Sequence, residues 1–398
     1  MDKIEELLTR GVEKIYPSKE ELEKVLRSGK KLKLYQGFDP TGIQLHIGHM
    51  VGLRKLRQWQ DLGHHVIFLI GDGTGQAGDP SGKKHAREKF LTQEELRKNA
   101  VDYIKQAGKI VRFEGENPVE VLFNGDWLNK LNLVDILNIA GNFSLQQLSE
   151  RDLFRERVKQ NEDVNLREFL YPLLQAYDSV AMEVDLEIGG SDQTFNMLAG
   201  RTLIKKMKNK DKFVMTTPLL TDSKGMKIGK TEGNVIALTD NPEDLFGKIM
   251  TLPDDLIVKG FEYLTDISLN EIKNIRETFN KGENPVSFKK KLAFEIVKQL
   301  NDEKQSLAAQ KYFEKVVQDE ELPEDIPLYQ YTGGQPVEII NLLVKTKLAA
   351  SRSDAKRLIG QGGVYIDNHI VNNYNMTTKI KNDQVIKVGK RKFVKIKL

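Results

Sequence analysis

Cysteine is missing from all 398 positions of the chain. That excludes disulfide bonds, thiolate-ligated zinc and a cysteine nucleophile. Long apolar runs are missing too. None approaches the roughly 18 residues that a membrane-spanning helix needs, so no membrane partner is expected. The opening residues, Met1-Asp2-Lys3-Ile4-Glu5-Glu6, are charged and lack the apolar stretch of a secretory signal. With no targeting segment, the expected compartment is the cytoplasm. Internal repeats and long low-complexity stretches are likewise absent. What remains, 39% hydrophobic and 30% charged residues, is the composition of a globular protein of two or three domains.

Charge is unevenly spread. Residues 336–398 hold 13 Lys+Arg against 4 Asp+Glu, whereas residues 1–335 hold 48 against 53. A basic tail on a mildly acidic body points to a polyanionic partner for the tail or, equally, to a solvated basic surface.

The apolar pattern sets the organisation. Residues 2–30 carry helical periodicity, with Ile4, Leu7, Leu8, Val12 and Ile15 on one face and Leu22, Val25 and Leu26 on another. Leu32 to Phe38 reads as a strand ending in the turn Asp39-Pro40-Thr41-Gly42. A helix follows from about Ile47 and closes at Gly63, and His65 to Ile70 is a second strand. Strand, helix and strand on short connections predict a parallel sheet with a right-handed crossover, whose ligands bind beyond the carboxyl ends of the strands. Tyr35–Asp39 and Gly71–Asp79 lie at those ends. From Pro242 to about Gln318 the pattern is mostly helical, for example Phe288 to Leu300. Glu320 to Pro327, rich in acids and proline, reads as a linker. The tail predicts a small α+β unit, with helices at Val337–Leu348 and Ser353–Ile359, strands at Val364–Asp367 and Val385–Val388, and a last strand after the turn 389–392. The expected division is therefore an α/β domain over 1–240, a helical domain over 241–320, a linker over 321–335 and an α+β domain over 336–398.

Two stretches suit phosphate. His46-Ile47-Gly48-His49 falls where the strand and turn meet a helix, and a helix N-terminus offers free N–H groups and the positive end of its dipole. Gly48 permits close approach of a nucleotide. Histidines at i and i+3 share a face and can donate to phosphate oxygens. They can instead mark an ordinary helix start or bind a metal, although nothing nearby completes a ligand set. Lys224, Lys227 and Lys230 lie in a glycine-containing loop, as cations able to neutralise a departing pyrophosphate or as plain solvated charge.

A third stretch suits a polar ligand. Tyr171, Gln175 and Asp178 fall at i, i+4 and i+7 of one helix and share a face. A phenol, an amide and a carboxylate cost free energy when buried without partners, so the face makes sense against a polar ligand; the plainer alternative is a surface acid on an amphipathic helix. Tyr35 can add a second phenol to the same cleft.

At this point a family resemblance is plain. His46 to His49 resembles the His-Ile-Gly-His signature of class I aminoacyl-tRNA synthetases. Lys227-Ile228-Gly229-Lys230-Thr231 resembles their Lys-Met-Ser-Lys-Ser loop, differing at 228, 229 and 231 in the way tyrosine enzymes often do. Tyr35-Gln36-Gly37-Phe38-Asp39-Pro40-Thr41, Gly78 to Lys83 and Gly189-Gly190-Ser191-Asp192-Gln193 resemble stretches of the tyrosyl-tRNA synthetases. After Gln193 the chain reads Thr194-Phe195-Asn196, like a second bacterial branch. The tail from Ser351 to Asp367 resembles an S4-type RNA-binding module.

The resemblance implies a Rossmann-like catalytic domain, a homodimer, and the substrates L-tyrosine, ATP with Mg2+, and tRNA(Tyr). It implies that Tyr35 and Asp178 bind the substrate phenol. Tyr171, Asp79 and Gln175 would hold the α-ammonium, with Gln193 nearby. The ATP site would take Gly37, Asp39, Gly48, Gly190 and Asp192, both motif histidines, and Lys83, Arg87, Lys227 and Lys230. Thr41, His46, His49, Lys227 and Lys230 would act in catalysis by stabilising the charge on pyrophosphate as tyrosine's carboxylate attacks the α-phosphate. Arg352, Lys356 and Arg357 would contact RNA phosphates. No metal held by the protein itself is expected. Three rivals frame the reading: an adenylyltransferase acting on another small acid, a tryptophan enzyme, and a synthetase-like RNA-binding protein without ligase activity. The S4-like tail argues against the first, Tyr35 with Asp178 against the second, and the intact histidines and lysines against the third.

Overall fold

The computed structural model describes residues 2–42, 44–79, 90–149, 157, 159–223, 225, 228, 235–318, 326–334, 336–389 and 392–398. Packing divides the chain into two units. One comprises Met1–Asp240 with Leu252–Asn301, the other Asn241–Thr251 with Asp302–Leu398.

The first unit is built on a six-stranded sheet. Its strands are β1 (Lys14–Tyr16), β2 (Lys33–Phe38), β3 (His65–Ile70), β4 (Glu120–Phe123), β5 (Leu186–Gly190) and β6 (Phe213–Thr217), in the order β1-β6-β5-β2-β3-β4. All neighbours are parallel except β1, which runs against β6. Parallel strands are covered on both faces and so read as continuous apolar runs. Val66 to Ile70 are all buried accordingly. The expected Rossmann-like α/β fold is borne out.

Of the helices in this unit, three position the cleft: α1 (Ile47–Asp61), α2 (Leu166–Met182) and α3 (Thr194–Lys208). The first crosses from β2 to β3 and buries Met50, Leu53, Leu56 and Trp59. Its Arg54 donates to Asp266 at 2.6 Å, which ties it to the neighbouring helices Ile257–Leu264, Leu269–Asn280 and Pro285–Leu300 of the same unit. The second begins at the cap Asn165, whose side chain accepts from Arg167 N–H, and ends where Glu183 turns left-handed at φ 50°. It packs along the third, and Leu173, Ala176, Val180, Leu203 and Ile204 fill the seam.

One expectation is corrected here. Residues 2–30 are not helical throughout: helices Lys3–Thr9 and Lys19–Arg27 flank β1, so Ile15 is a strand residue. Three residues are too few to show a period of two, and the strand is specified by its pairing with Met215, about 200 positions away.

The second unit contains the tail. A five-stranded sheet runs in the order His369–Ile370, Val364–Ile366, Val385–Val388, Lys392–Lys397 and Leu328–Gln330. Helices Ile339–Lys345 and Arg352–Gly360 cover it over a core that includes Leu342, Leu343, Ile359, Ile386 and Ile396. The expected helix from Val337 is shorter than its apolar run. Val337–Glu338 pairs with Thr377–Thr378 as a strand, and the chain leaves the helix at Thr346, with Lys347 left-handed at φ 59°. The expected linker over 321–335 is not all connection. Residues 321–325 and 335 lie outside the described residues, but Leu328–Gln330 is a strand of the five-stranded sheet, paired with Lys395–Lys397, a partner too distant in sequence for local pattern to announce.

Candidate active site

A cavity of about 590 Å³ opens at the carboxyl ends of β2 and β5. At its buried end stand Tyr35 and Asp178, 1% and 2% exposed. The Tyr35 Oη lies 3.2 Å from Ser179 Oγ. Burial, with the carboxylates of Glu187 and Asp178 nearby, pushes this phenol well above its ordinary pKa, so it stays protonated. Asp178 accepts from Trp127 Nε1 at 2.8 Å and from Asn124 Nδ2 at 3.1 Å. Burial raises its carboxyl well above the usual range, and those two donors oppose the rise. A carboxylate beside a phenol, at the closed end of a cleft, can accept from one hydroxyl while the phenol donates to it.

Higher in the cleft the polar groups are held in pairs. Tyr171 Oη donates to Asp39 Oδ2 at 2.9 Å, and Thr74 Oγ1 donates to Asp39 Oδ1 at 2.7 Å. Gln193 donates from Nε2 to Asp79 Oδ2 at 2.9 Å and accepts at Oε1 from Asn196 Nδ2 at 2.8 Å. Gln175 Nε2 donates to Glu187 Oε1 at 2.9 Å, which leaves the amide oxygen as the acceptor for another donor. Several acceptors at this depth suit an ammonium group.

The far wall is the start of α1. His46 caps it: Gly48 N–H donates to His46 Nδ1, and His46 N–H donates to His49 Nδ1, each at 3.1 Å. With Nδ1 of both rings accepting, the proton of each neutral ring sits on Nε2, which is then a donor. The rings stand 3.9 Å apart. A Cβ on Gly48 would come within 3.0 Å of the His46 ring.

The structure brings together Tyr35, Gly37, Asp39, Thr41, His46, Gly48, His49, Asp79, Tyr171, Gln175, Asp178, Gly190, Asp192 and Gln193, all lining this one cavity. Lys83, Arg87, Lys224, Lys227, Lys230 and Thr231 lie outside the described residues. Among the described residues no group of three or more His, Asp or Glu side chains is placed to hold a metal ion.

Five contributors escaped the sequence reading. Asn124 follows β4 and links Gly73, Thr74 and Asp178; Trp127 caps the other Asp178 oxygen. Ser179, Glu187 and Lys212 form a buried polar group behind Tyr35. A charged residue inside an apolar strand run, Leu186-Glu187-Ile188, was the available signal; Lys212, just before β6 and after Lys210-Asp211, carried none.

In the tail unit, Arg352 bonds to Asn341 and, at 3.4 Å, to Glu338. Arg357 bonds to Asp354 at 2.6 Å and Gln361 at 2.9 Å, and Lys356 Nζ sits 5.5 Å from the Tyr374 ring centre. Arg352 and Arg357 are exposed, with side chains 60% and 58% accessible.

Nucleotide-binding sheets serve many chemistries, and the site decides among them. Here Ile228, inside the lysine motif, lines the same cavity as His46 and His49. A residue of each motif, about 180 positions apart, thus lines one cleft, the mark of a class I aminoacyl-tRNA synthetase. The family model for tRNA synthetases class I (W and Y) matches residues 27–318, and the tyrosine–tRNA ligase SYY-like C-terminal domain matches residues 318–396. A tyrosine–tRNA ligase of Thermotoga maritima is 41% identical over 392 residues, covering 98% of this chain and 96% of the relative. Tyrosine–tRNA ligase 2 of Clostridium acetobutylicum is 39% identical, covering 98% and 97%. A C-terminally truncated mitochondrial tyrosyl-tRNA synthetase of Aspergillus nidulans superposes with a TM-score of 0.66 at 25% identity, covering 79% of this chain and 93% of that one. The Archaeoglobus fulgidus tyrosyl-tRNA synthetase complexed with L-tyrosine shares the fold, with a TM-score of 0.62 at 22% identity over 77% of this chain and 100% of that one. The chain belongs to the tyrosine–tRNA ligases.

Proposed function

We propose that this cleft performs the family's reaction, joining tyrosine to tRNA with ATP, through the following roles. Tyr35 and Asp178 read the substrate phenol, Asp178 accepting its proton and Tyr35 donating to its oxygen. Tyr171, Asp79 and Gln175 hold the α-ammonium, with Gln193 steadying Asp79. Gly37, Asp39, Gly48, Gly190 and Asp192 line the adenylate, and Lys83 and Arg87 take the pyrophosphate side. The α-carboxylate of tyrosine attacks the α-phosphate of ATP and pyrophosphate leaves. No general base is needed, because the carboxylate is ionised at neutral pH. Thr41, His46, His49, Lys227 and Lys230 stabilise the departing charge, so catalysis is positioning plus electrostatics. Magnesium enters as the ATP complex, bound chiefly through phosphates and water. A terminal ribose hydroxyl of tRNA(Tyr) then attacks the adenylate.

The observation that carries this reading is the pairing of Tyr35 with Asp178 at the buried end of the cleft. Pyrophosphate exchange with tyrosine, phenylalanine and tryptophan in parallel tests it. Exchange with tyrosine alone is expected; equal exchange with phenylalanine would refute the phenol site.

By the same reading, residues 1–240 do the chemistry, 241–320 read the anticodon and 336–398 clamp tRNA through Arg352, Lys356 and Arg357, joined by the linker 321–335. The chain works as a cytoplasmic homodimer. The helix Leu133–Ala140 supports a second copy, since Leu133, Val134 and Leu137 on it are 71%, 63% and 59% exposed. Light scattering on Leu133→Glu/Leu137→Glu is expected to show a monomer; an unchanged dimer would place the interface elsewhere.

A further inference from the structure

Lys212 precedes β6 by one residue and is 1% exposed. Its ammonium has donors only. It donates to Ser179 Oγ at 2.7 Å and to Glu187 Oε2. The other oxygen of Glu187 accepts from Gln175. Among the described residues Ser179 in turn has two side-chain partners, Lys212 and the Tyr35 hydroxyl. One buried ion pair therefore reaches two residues that line the cleft, Gln175 directly and Tyr35 through Ser179. Gly200 on α3 makes the meeting possible: a Cβ there would stand 2.7 Å from Lys212 Nζ and 2.8 Å from Ser179 Oγ.

Two proton orders are open between Tyr35 and Ser179, since each hydroxyl can donate or accept. The cation breaks the tie. It occupies a lone pair of Ser179, which makes that oxygen a poorer acceptor and its proton a better donor. We propose that Lys212 and Ser179 are positioning residues that set the direction of this chain, Lys212 to Ser179 to Tyr35, so that the Tyr35 proton is aimed at the substrate hydroxyl. The inference rests on the reading of Tyr35 and Asp178 as the phenol site. On that reading, tyrosine completes a chain running from Lys212 to Asp178. Phenylalanine leaves a donor and an acceptor unpaired at its two ends, the kind of mismatch that rejects an analogue strongly.

The test is pyrophosphate exchange by the full-length protein with tyrosine and phenylalanine. Six variants are compared: Ser179→Ala, Ser179→Thr, Gly200→Ala, Tyr35→Phe, the charge-neutral double variant Lys212→Met/Glu187→Gln, which avoids stranding one buried charge, and that double variant with Ser179→Ala added. In Ser179→Ala, kcat/KM for tyrosine is expected to fall by about 10- to 100-fold, the worth of a charge-assisted hydrogen bond. The loss should lie mainly in KM, with phenylalanine unchanged. Ser179→Thr restores the hydroxyl and should recover most of the loss. Gly200→Ala should reproduce it, since it displaces Lys212 without removing a polar group. Adding Ser179→Ala to the double variant should cost no further discrimination. If Ser179→Ala lowers both substrates equally, or keeps full discrimination while Tyr35→Phe loses it, the relay is overturned and the phenol site stands. If Tyr35→Phe also keeps full discrimination, the phenol site itself falls. Should the double variant fail to fold, Ser179→Ala and its threonine rescue decide alone.

Discussion

The base of the cleft and the outer face of the tail helix Arg352–Gly360 are both rich in charge, and they use it oppositely. Asp178, Glu187 and Lys212 are out of water and bonded to Asn124, Trp127, Gln175 and Ser179. Arg352 and Arg357 stand in water and bond to neighbours on their own surface. Burial makes each lost bond expensive, because the stranded partner cannot turn to solvent. Exposure makes the same kind of bond nearly free to break, which suits cations meant to leave their local partners for a nucleic acid.

The comparison breaks most visibly at Asp178. Asp178→Ala removes the acceptor and strands Asn124 and Trp127, so tyrosine activation should fall by at least about 10³-fold with the circular dichroism unchanged. Unimpaired activation would end the pocket assignment. Next is Lys230→Ala, which should slow single-turnover adenylate formation by roughly 10²-fold while leaving tyrosine binding intact. A change confined to tyrosine affinity would remove Lys230 from its role on the departing phosphate.

Adjacent histidines sharpen the same contrast within one turn of chain. His64 is buried, and its Nδ1 accepts from Leu32 N–H at 3.1 Å; His65 is half-exposed beside Glu120. Burial, with Lys31 nearby, lowers His64 to about 4. The unfolded chain, with an ordinary histidine near 6.5, therefore takes up the proton first. Stability from this group is complete above about 6.5 and is lost as pH falls towards 4. Chemical denaturation at several pH values should show that loss in the parent and a shallower one in His64→Phe; equal slopes would mean the imidazole titrates normally. The smallest effects belong to the tail. Arg352→Ala and Lys356→Ala should each move stability by less than about 0.5 kcal/mol. Each should weaken tRNA binding and lower its salt slope by about one. An unchanged slope would take that residue off the RNA.

What the sequence disclosed follows from range. The strands Leu32–Phe38 and His65–Ile70, the helix between them and the shared face of Tyr171, Gln175 and Asp178 are written in spacings of a few residues, and the structure keeps them. The partners that hold those groups are not local. Asn124 meets Asp178 across 54 positions and Lys212 meets Ser179 across 33, and no period announces such pairs. β1 was missed for the same reason, because its only specification is the strand it lies against.

That strand has a consequence for handling the protein. The sheet ends at β1 on one side and β4 on the other, three and four residues long. Short edges offer little backbone for another chain to pair with. Trimming the first 16 residues would bare β6, five residues centred on the buried Val214 and Met215. The opening segment therefore works as an aggregation guard, and a shortened chain should lose solubility before it loses its chemistry.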